Sequence, residues 1–234
     1  MIYAGILAAG LGTRMHRQDM PKQFLPLGEK PIIIHTLEQF AINPNVGRII
    51  IIVPEEWKLY TEDMISQHNL MNKEYTIISG GLNKTESIGI CVNYINETWK
   101  TKKDDILIAH DAIRPFITQQ LINSHIETVK KYGAANTAMV TNDAILLSKD
   151  GVSLDEVPNH KHLYAEQTPQ SYSLIKLKEI LNTGTSLHEE SELPRLWLKA
   201  GYKMQLVKGE YFNIKIINPY DLEVAEALLK ERSA

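Results

Sequence analysis

Ile2-Tyr3-Ala4-Gly5-Ile6-Leu7-Ala8-Ala9-Gly10-Leu11-Gly12-Thr13-Arg14-Met15, followed by Pro21-Lys22-Gln23-Phe24-Leu25-Pro26-Leu27-Gly28, is the stretch on which the reading of this chain turns. Ile2 to Ala8 is an apolar run of strand length, and it ends directly in a glycine-bearing loop. Glycine has no Cβ, so at positions 10 and 12 the backbone can turn sharply and bring its N–H groups close to a ligand. Anionic phosphates suit such a loop. Arg14 adds a planar fork of donors and Lys22 a compact point charge, a pairing fitted to hold a polyphosphate and to stabilise charge that develops in phosphoryl transfer. Two commoner glycine loops fail on the same letters: a Walker A loop needs Gly-Lys-Ser/Thr at its end, and a dinucleotide fingerprint needs a small residue where Met15 stands. A plain strand-to-loop turn with two unrelated cations is the bland alternative, and the rest of the chain arbitrates.

Outward from this segment, short β-branched runs alternate with stretches of helical period, the pattern of βαβ units on a mostly parallel sheet. Strands are predicted at 2–8, 48–54, 75–78, 105–109 and 134–140, and helices at 31–42, 55–68, 83–98, 118–131 and 219–231. Asn83 with Glu86 reads as a capping box, and Asn218-Pro219-Tyr220-Asp221 orders a cap, a first-turn proline and a dipole-matched acid. The segment from about 142 to 170 breaks the rhythm. Its alternating runs Ala144 to Leu147 and Gly151 to Val157, around Lys149-Asp150-Gly151, predict a hairpin arm that needs something to pack on, most simply a second copy of the chain. The whole reads as one α/β domain over 1–234.

Composition narrows the function. The 234 residues carry 25 basic and 28 acidic side chains, a net charge of −3, which lacks the electrostatic footprint of a nucleic-acid binder. Cys91 is the single cysteine and falls in an apolar helical pattern, which predicts a buried structural thiol in a reducing cytoplasm. The longest aliphatic runs, such as Ile49 to Val53, are too short to span a bilayer.

Three further constellations carry chemistry. In His110-Asp111-Ala112-Ile113-Arg114-Pro115, a carboxylate at a strand end is placed to hold a hard cation such as Mg²⁺, with Arg114 either steadying that carboxylate or meeting a phosphate. Gly80-Gly81-Leu82-Asn83-Lys84-Thr85-Glu86-Ser87 is a glycine turn into a capped helix, suited to contact a base or ribose through backbone groups. Tyr211-Phe212-Asn213-Ile214-Lys215-Ile216 reads as a late strand with Lys215 facing away from its apolar neighbours. His160 and His162 lack the cysteine or acidic neighbours of a transition-metal site.

Ala8 to Met15, Pro21-Lys22-Gln23, His110 to Pro115, Gln167-Thr168-Pro169-Gln170 and Asn213-Ile214-Lys215 resemble, in order and spacing, the cytidylyltransferases that act on sugar or polyol phosphates. The resemblance covers nearly the whole chain. It implies a single Rossmann-like domain with a projecting β-arm, an arm-mediated homodimer, and transfer of a cytidylyl group from CTP. It implies catalytic roles for Arg14, Lys22 and Lys215, and nucleotide contacts from Ala8, Ala9, Gly10, Leu11, Gly12, Thr13, Gly80, Gly81, Ser87 and Ala112. The acceptor falls to Arg114, Asp143, His160, Lys161 and Thr168, and Mg²⁺ to Asp111. Of the family's two branches, one uses 2-C-methyl-D-erythritol 4-phosphate and the other D-ribitol 5-phosphate. Val157-Pro158-Asn159-His160-Lys161-His162-Leu163-Tyr164 is worded like the ribitol branch, so ribitol 5-phosphate is the expected acceptor. The chain departs from the family at His160, where an arginine is usual, and at Ala144, where a threonine is usual. A nucleotide-binding sensor without turnover, and a pyrophosphorylase reading another base, are the competing readings.

Overall fold

A computed structural model describes residues 1–10, 20–68, 70, 73–182 and 192–233. In chain order the elements are β1 (Ile2–Leu7), β2 (Pro26–Leu27), β3 (Lys30–Pro31), α1 (Ile32–Ile42), β4 (Arg48–Val53), α2 (Lys58–Gln67), β5 (Glu74–Ser79), α3 (Lys84–Thr98), β6 (Ile106–Asp111), α4 (Gln119–Tyr132), β7 (Ala134–Val140), β8 (Tyr164–Ser173), α5 (Leu174–Leu181), α6 (Leu193–Lys199), β9 (Gln205–Lys208) and α7 (Pro219–Ser233). Seven strands form one sheet in the order β5-β4-β1-β6-β8-β7-β9. All run one way except β8, which is antiparallel to both its neighbours.

The sheet is covered on both faces, which is why β4 is a continuous run of buried Ile and Val rather than an alternation. Ile33, Leu37 and Phe40 of α1 and Leu121, Ile122 and Ile126 of α4 pack on one face. Ile88, Cys91 and Ile95 of α3, Leu177 of α5 and Trp197 of α6 pack on the other. Cys91 is buried as expected, and burial pushes its thiol up to about 12. A third cluster, with Leu27, Ile113, Phe116, Ile216 and Ala225, seats α7.

The capping predictions hold at both helices. Asn83 Oδ1 accepts the Glu86 N–H at 2.9 Å, and Asn218 Oδ1 accepts the Asp221 N–H at 3.0 Å while Asp221 Oδ2 takes the Ile217 and Asn218 N–H groups.

Three expectations are corrected. The arm stops at residue 163, because Tyr164–Ser173 leaves it to become β8 between β6 and β7. Proline is excluded from regular central strands, and Pro169 is accommodated where the β7–β8 register shifts between Asn136 and Ala138. Within the arm, the expected hairpin forms only one bridge, Leu147 with Glu156, closed by Gly151 at φ +75° and by Asp150, whose carboxylate accepts the Val152 and Ser153 N–H groups. Residues 211–216 form a turn and coil rather than a strand; the strand that pairs with β7 comes earlier, at β9.

Candidate active site

The carboxyl ends of β1 and β6 open into a cleft of about 220 Å³, where ligands sit in open α/β sheets. Leu7 to Gly10 line it from the end of β1 and just beyond, Lys22 and Gln23 from the 3₁₀ turn, Gly81 to Lys84 and Ser87 from the start of α3, Asp111 from the end of β6, Ile113 from the turn after it, and Lys215 from the late coil.

Each wall is built locally. Lys22–Phe24 form a single 3₁₀ turn. The buried Gln23 side chain donates to the Ala8 carbonyl, which ties this turn to β1. Phe24, also buried, stacks on Trp57 at 5.2 Å and meets the edge of Tyr60 at 5.2 Å. Opposite, Gly80 lies so near β1 that a Cβ would fall 2.4 Å from Ala9 Cβ, so glycine is required there by close approach.

Asp111 is the electrostatic centre. Its Oδ2 accepts from Lys215 Nζ at 3.0 Å and from Arg114 Nε at 3.3 Å. Burial opposes its charge, but Lys84, Lys215 and Arg114 together outweigh that penalty and hold the carboxyl well below the usual carboxylate range. His110 lies behind it with no exposed surface, and burial pushes its imidazole down to about 4. The neutral ring donates from Nε2 to the Arg114 carbonyl at 3.1 Å, since that oxygen only accepts. Its Nδ1 then accepts the Thr168 hydroxyl proton at 3.1 Å, and Thr168 Oγ1 accepts the Asp111 N–H at 3.1 Å.

The sequence-based candidates therefore separate into groups. Ala8, Ala9, Gly10, Lys22, Gly81, Ser87, Asp111 and Lys215 converge on the cleft. Leu11, Gly12, Thr13 and Arg14 lie outside the described residues. Ala112, expected at the nucleotide, is buried, with its N–H on Leu7 and its carbonyl on the Thr36 hydroxyl. Arg114 and Thr168, expected at the acceptor, are buried beside Asp111; Arg114 donates to Asp111 and to the Asn213 carbonyl, and Thr168 to His110. Asp143, His160 and Lys161 are exposed on the arm and are not part of this cleft's lining. Backbone reading of a base is also narrowed, because the N–H groups of Ala8, Gly80, Gly81 and Leu82 are bonded to Ile52, Val53, Ser87 and Glu86.

Lys84 is the residue that motif reasoning passed over. It stands at the first position of α3, one residue after the Asn83 cap, and reads locally as a helix-surface lysine. For a metal, Asp111 is the only acidic side chain in the cleft among the described residues, and no group of three metal-binding side chains occurs among them. One hard carboxylate beside a phosphate-sized cleft fits Mg²⁺, which binds through one or two carboxylates and takes substrate phosphates and water for the rest.

Among the described residues, three lysines and one buried carboxylate meet at the sheet's carboxyl edge, an arrangement suited to phosphoryl-group chemistry, and the family match gives the class, a nucleotidyltransferase. The chain belongs to the IspD family, 2-C-methyl-D-erythritol 4-phosphate cytidylyltransferase, whose model matches residues 2–231. It is thus an enzyme of the cytidylyltransferase class, using CTP and a phosphorylated, sugar-like acceptor. The fold is shared with 4-diphosphocytidyl-2C-methyl-D-erythritol synthase from Anaerococcus prevotii at TM-score 0.79 and 23% identity, over 98% of this chain and 96% of that one. The Francisella tularensis 2-C-methyl-D-erythritol 4-phosphate cytidylyltransferase matches at TM-score 0.77 and 23% identity, over 97% and 98%. Its Thermus thermophilus counterpart matches at 0.74 and 22%, over 97% and 98%.

Proposed function

We propose that this enzyme transfers the cytidylyl group of CTP to 2-C-methyl-D-erythritol 4-phosphate, the acceptor that membership of its family supports best. The observation that carries the chemistry is the convergence of Lys22, Lys84 and Lys215 on one cleft with Asp111. An oxygen of the acceptor's phosphate attacks the α-phosphorus of CTP in line, the bond to the β-phosphate oxygen breaks, and pyrophosphate leaves with the electron pair. Both reactants are anions, so the protein's work is to bring them together and to neutralise the charge that gathers at phosphorus. Lys22 and Arg14 bear on the triphosphate and its leaving group. Lys84 adds charge from the α3 side, and Lys215, oriented by Asp111, bears on the α-phosphate. Mg²⁺ held by Asp111 would neutralise phosphate oxygens when bound.

D-Ribitol 5-phosphate is the second reading, favoured by the wording of Val157 to Tyr164. For either acceptor, the arm proposes a homodimer. Ile145, Leu146, Val152, Leu154 and Val157 stand exposed on it, and pairing would cover them and give Asp143, His160 and Lys161 a site to complete. The test is pyrophosphate release with CTP and Mg²⁺, run beside each acceptor at matched concentrations. Turnover confined to methylerythritol phosphate supports the first reading, turnover confined to ribitol phosphate the second. CTP binding without pyrophosphate release would overturn both in favour of a sensor.

A further inference from the structure

Lys215 reaches Asp111 from residues 211–216, a stretch with no strand ladder to hold it. Its backbone makes three bonds to the rest of the fold among the described residues: Asn213 N–H to the Glu210 carbonyl and Ile216 N–H to the Ile113 carbonyl, both at 3.0 Å, and the Asn213 main-chain carbonyl accepts from Arg114 Nη1 at 2.7 Å. What fixes it between them is the side chain of Asn213, which has no exposed surface. Its Nδ2 donates to the Thr168 carbonyl at 2.9 Å and to Gln167 Oε1 at 3.2 Å. The same Thr168 takes the Asp111 N–H on its hydroxyl, and the same Arg114 donates to Asp111 Oδ2. The lysine-bearing coil and the aspartate-bearing strand are thus referenced to one pair of residues.

We propose that Asn213 is a positioning residue that sets Lys215 against Asp111 and so against the reacting phosphate. The inference rests on the role given to Lys215 above. It is tested by a double-mutant cycle of Asn213→Ala and Lys215→Ala. Pyrophosphate release is followed in single turnovers with the acceptor that the first assay selects, and thermal unfolding is recorded for each variant. Asn213→Ala is expected to lower the rate by about 10- to 100-fold, the scale on which small misplacements act, with KM for CTP unchanged. In the Lys215→Ala background it is expected to cost nothing further. Equal losses in both backgrounds, or a loss carried by KM, would overturn the proposal. Full activity of Lys215→Ala would overturn the lysine's role, and this inference with it. Asn213→Asp keeps the side chain's size while removing its donor, and carries the same cycle if the alanine variant does not fold.

Discussion

Lys22 occupies a single 3₁₀ turn whose other two residues are buried, so its ammonium is delivered to the cleft by packing rather than by its own long, flexible stem. Such a group acts by being in place before charge develops, and removing one preorganised donor typically costs ~3–4 kcal/mol of transition-state stabilisation. Lys22→Ala is therefore expected to lower kcat by about 10²–10³ while the urea midpoint stays at the native value. Native turnover in that variant would remove Lys22 from the chemistry. Arg114 shows how burial shapes a candidate. Its letter and spacing fit a phosphate ligand as well as a carboxylate partner, and in the fold its Nε donates to Asp111 and its Nη1 to the Asn213 carbonyl.

The elements that matter most to function are the turns at strand ends. The Gly80 turn packs directly on Ala9, and its N–H groups are anchored to Val53 and Ser87, so it is a rigid support for the wall of the cleft. Gly80→Ala forces a Cβ to within 2.4 Å of Ala9 Cβ, and the turn must move away from β1. Overpacking of this kind costs ~1–3 kcal/mol, and the variant is expected to unfold at lower urea with a raised KM for CTP. Among the described residues a Cβ at Gly10 meets nothing within 4 Å, so Gly10→Ala is expected to keep stability within ~1 kcal/mol. Chemical denaturation of the two variants side by side checks the contrast. Phe24, stacked on Trp57 ahead of α2, ties the Lys22 turn to the region beside this same wall.

Across the whole molecule, the interior carries two neutral histidines as structural hydrogen-bond nodes. His125 is buried between β7 and β8, with Nε2 on Thr137 Oγ1 and Nδ1 on Ser171 Oγ, both at 2.8 Å, and burial pushes it down to about 3. His110 is pushed down to about 4 by the same cause. An unfolded chain takes up these protons near the ordinary histidine pKa of about 6.5, while the fold resists until pH 4 or below. The unfolded state then binds more protons, so stability is full above about pH 6.5 and falls as pH drops toward 4, at up to ~1.4 kcal/mol per pH unit for each ring. Urea midpoints measured at pH 7.5, 6 and 5 should decline in that order, and a flat profile would show that the rings protonate within the fold.

Legible in the sequence were β1, the alternation that makes a two-faced α/β sheet, the Asn83 and Asn218 caps, the buried Cys91 and the gathering of Lys22, Asp111 and Lys215 at one cleft. These signals are local, because periodicity, capping and glycine placement are written within a few residues of where they act. Tertiary structure alone decided that Tyr164–Ser173 enters the sheet, since a proline in a central strand contradicts the local rule until a shifted register accommodates it. It also decided that Lys84 belongs to the site and that Lys215 rides on a coil held by Asn213. In each case the deciding partner lies far away along the chain, so the chemistry becomes visible only when the fold closes that distance.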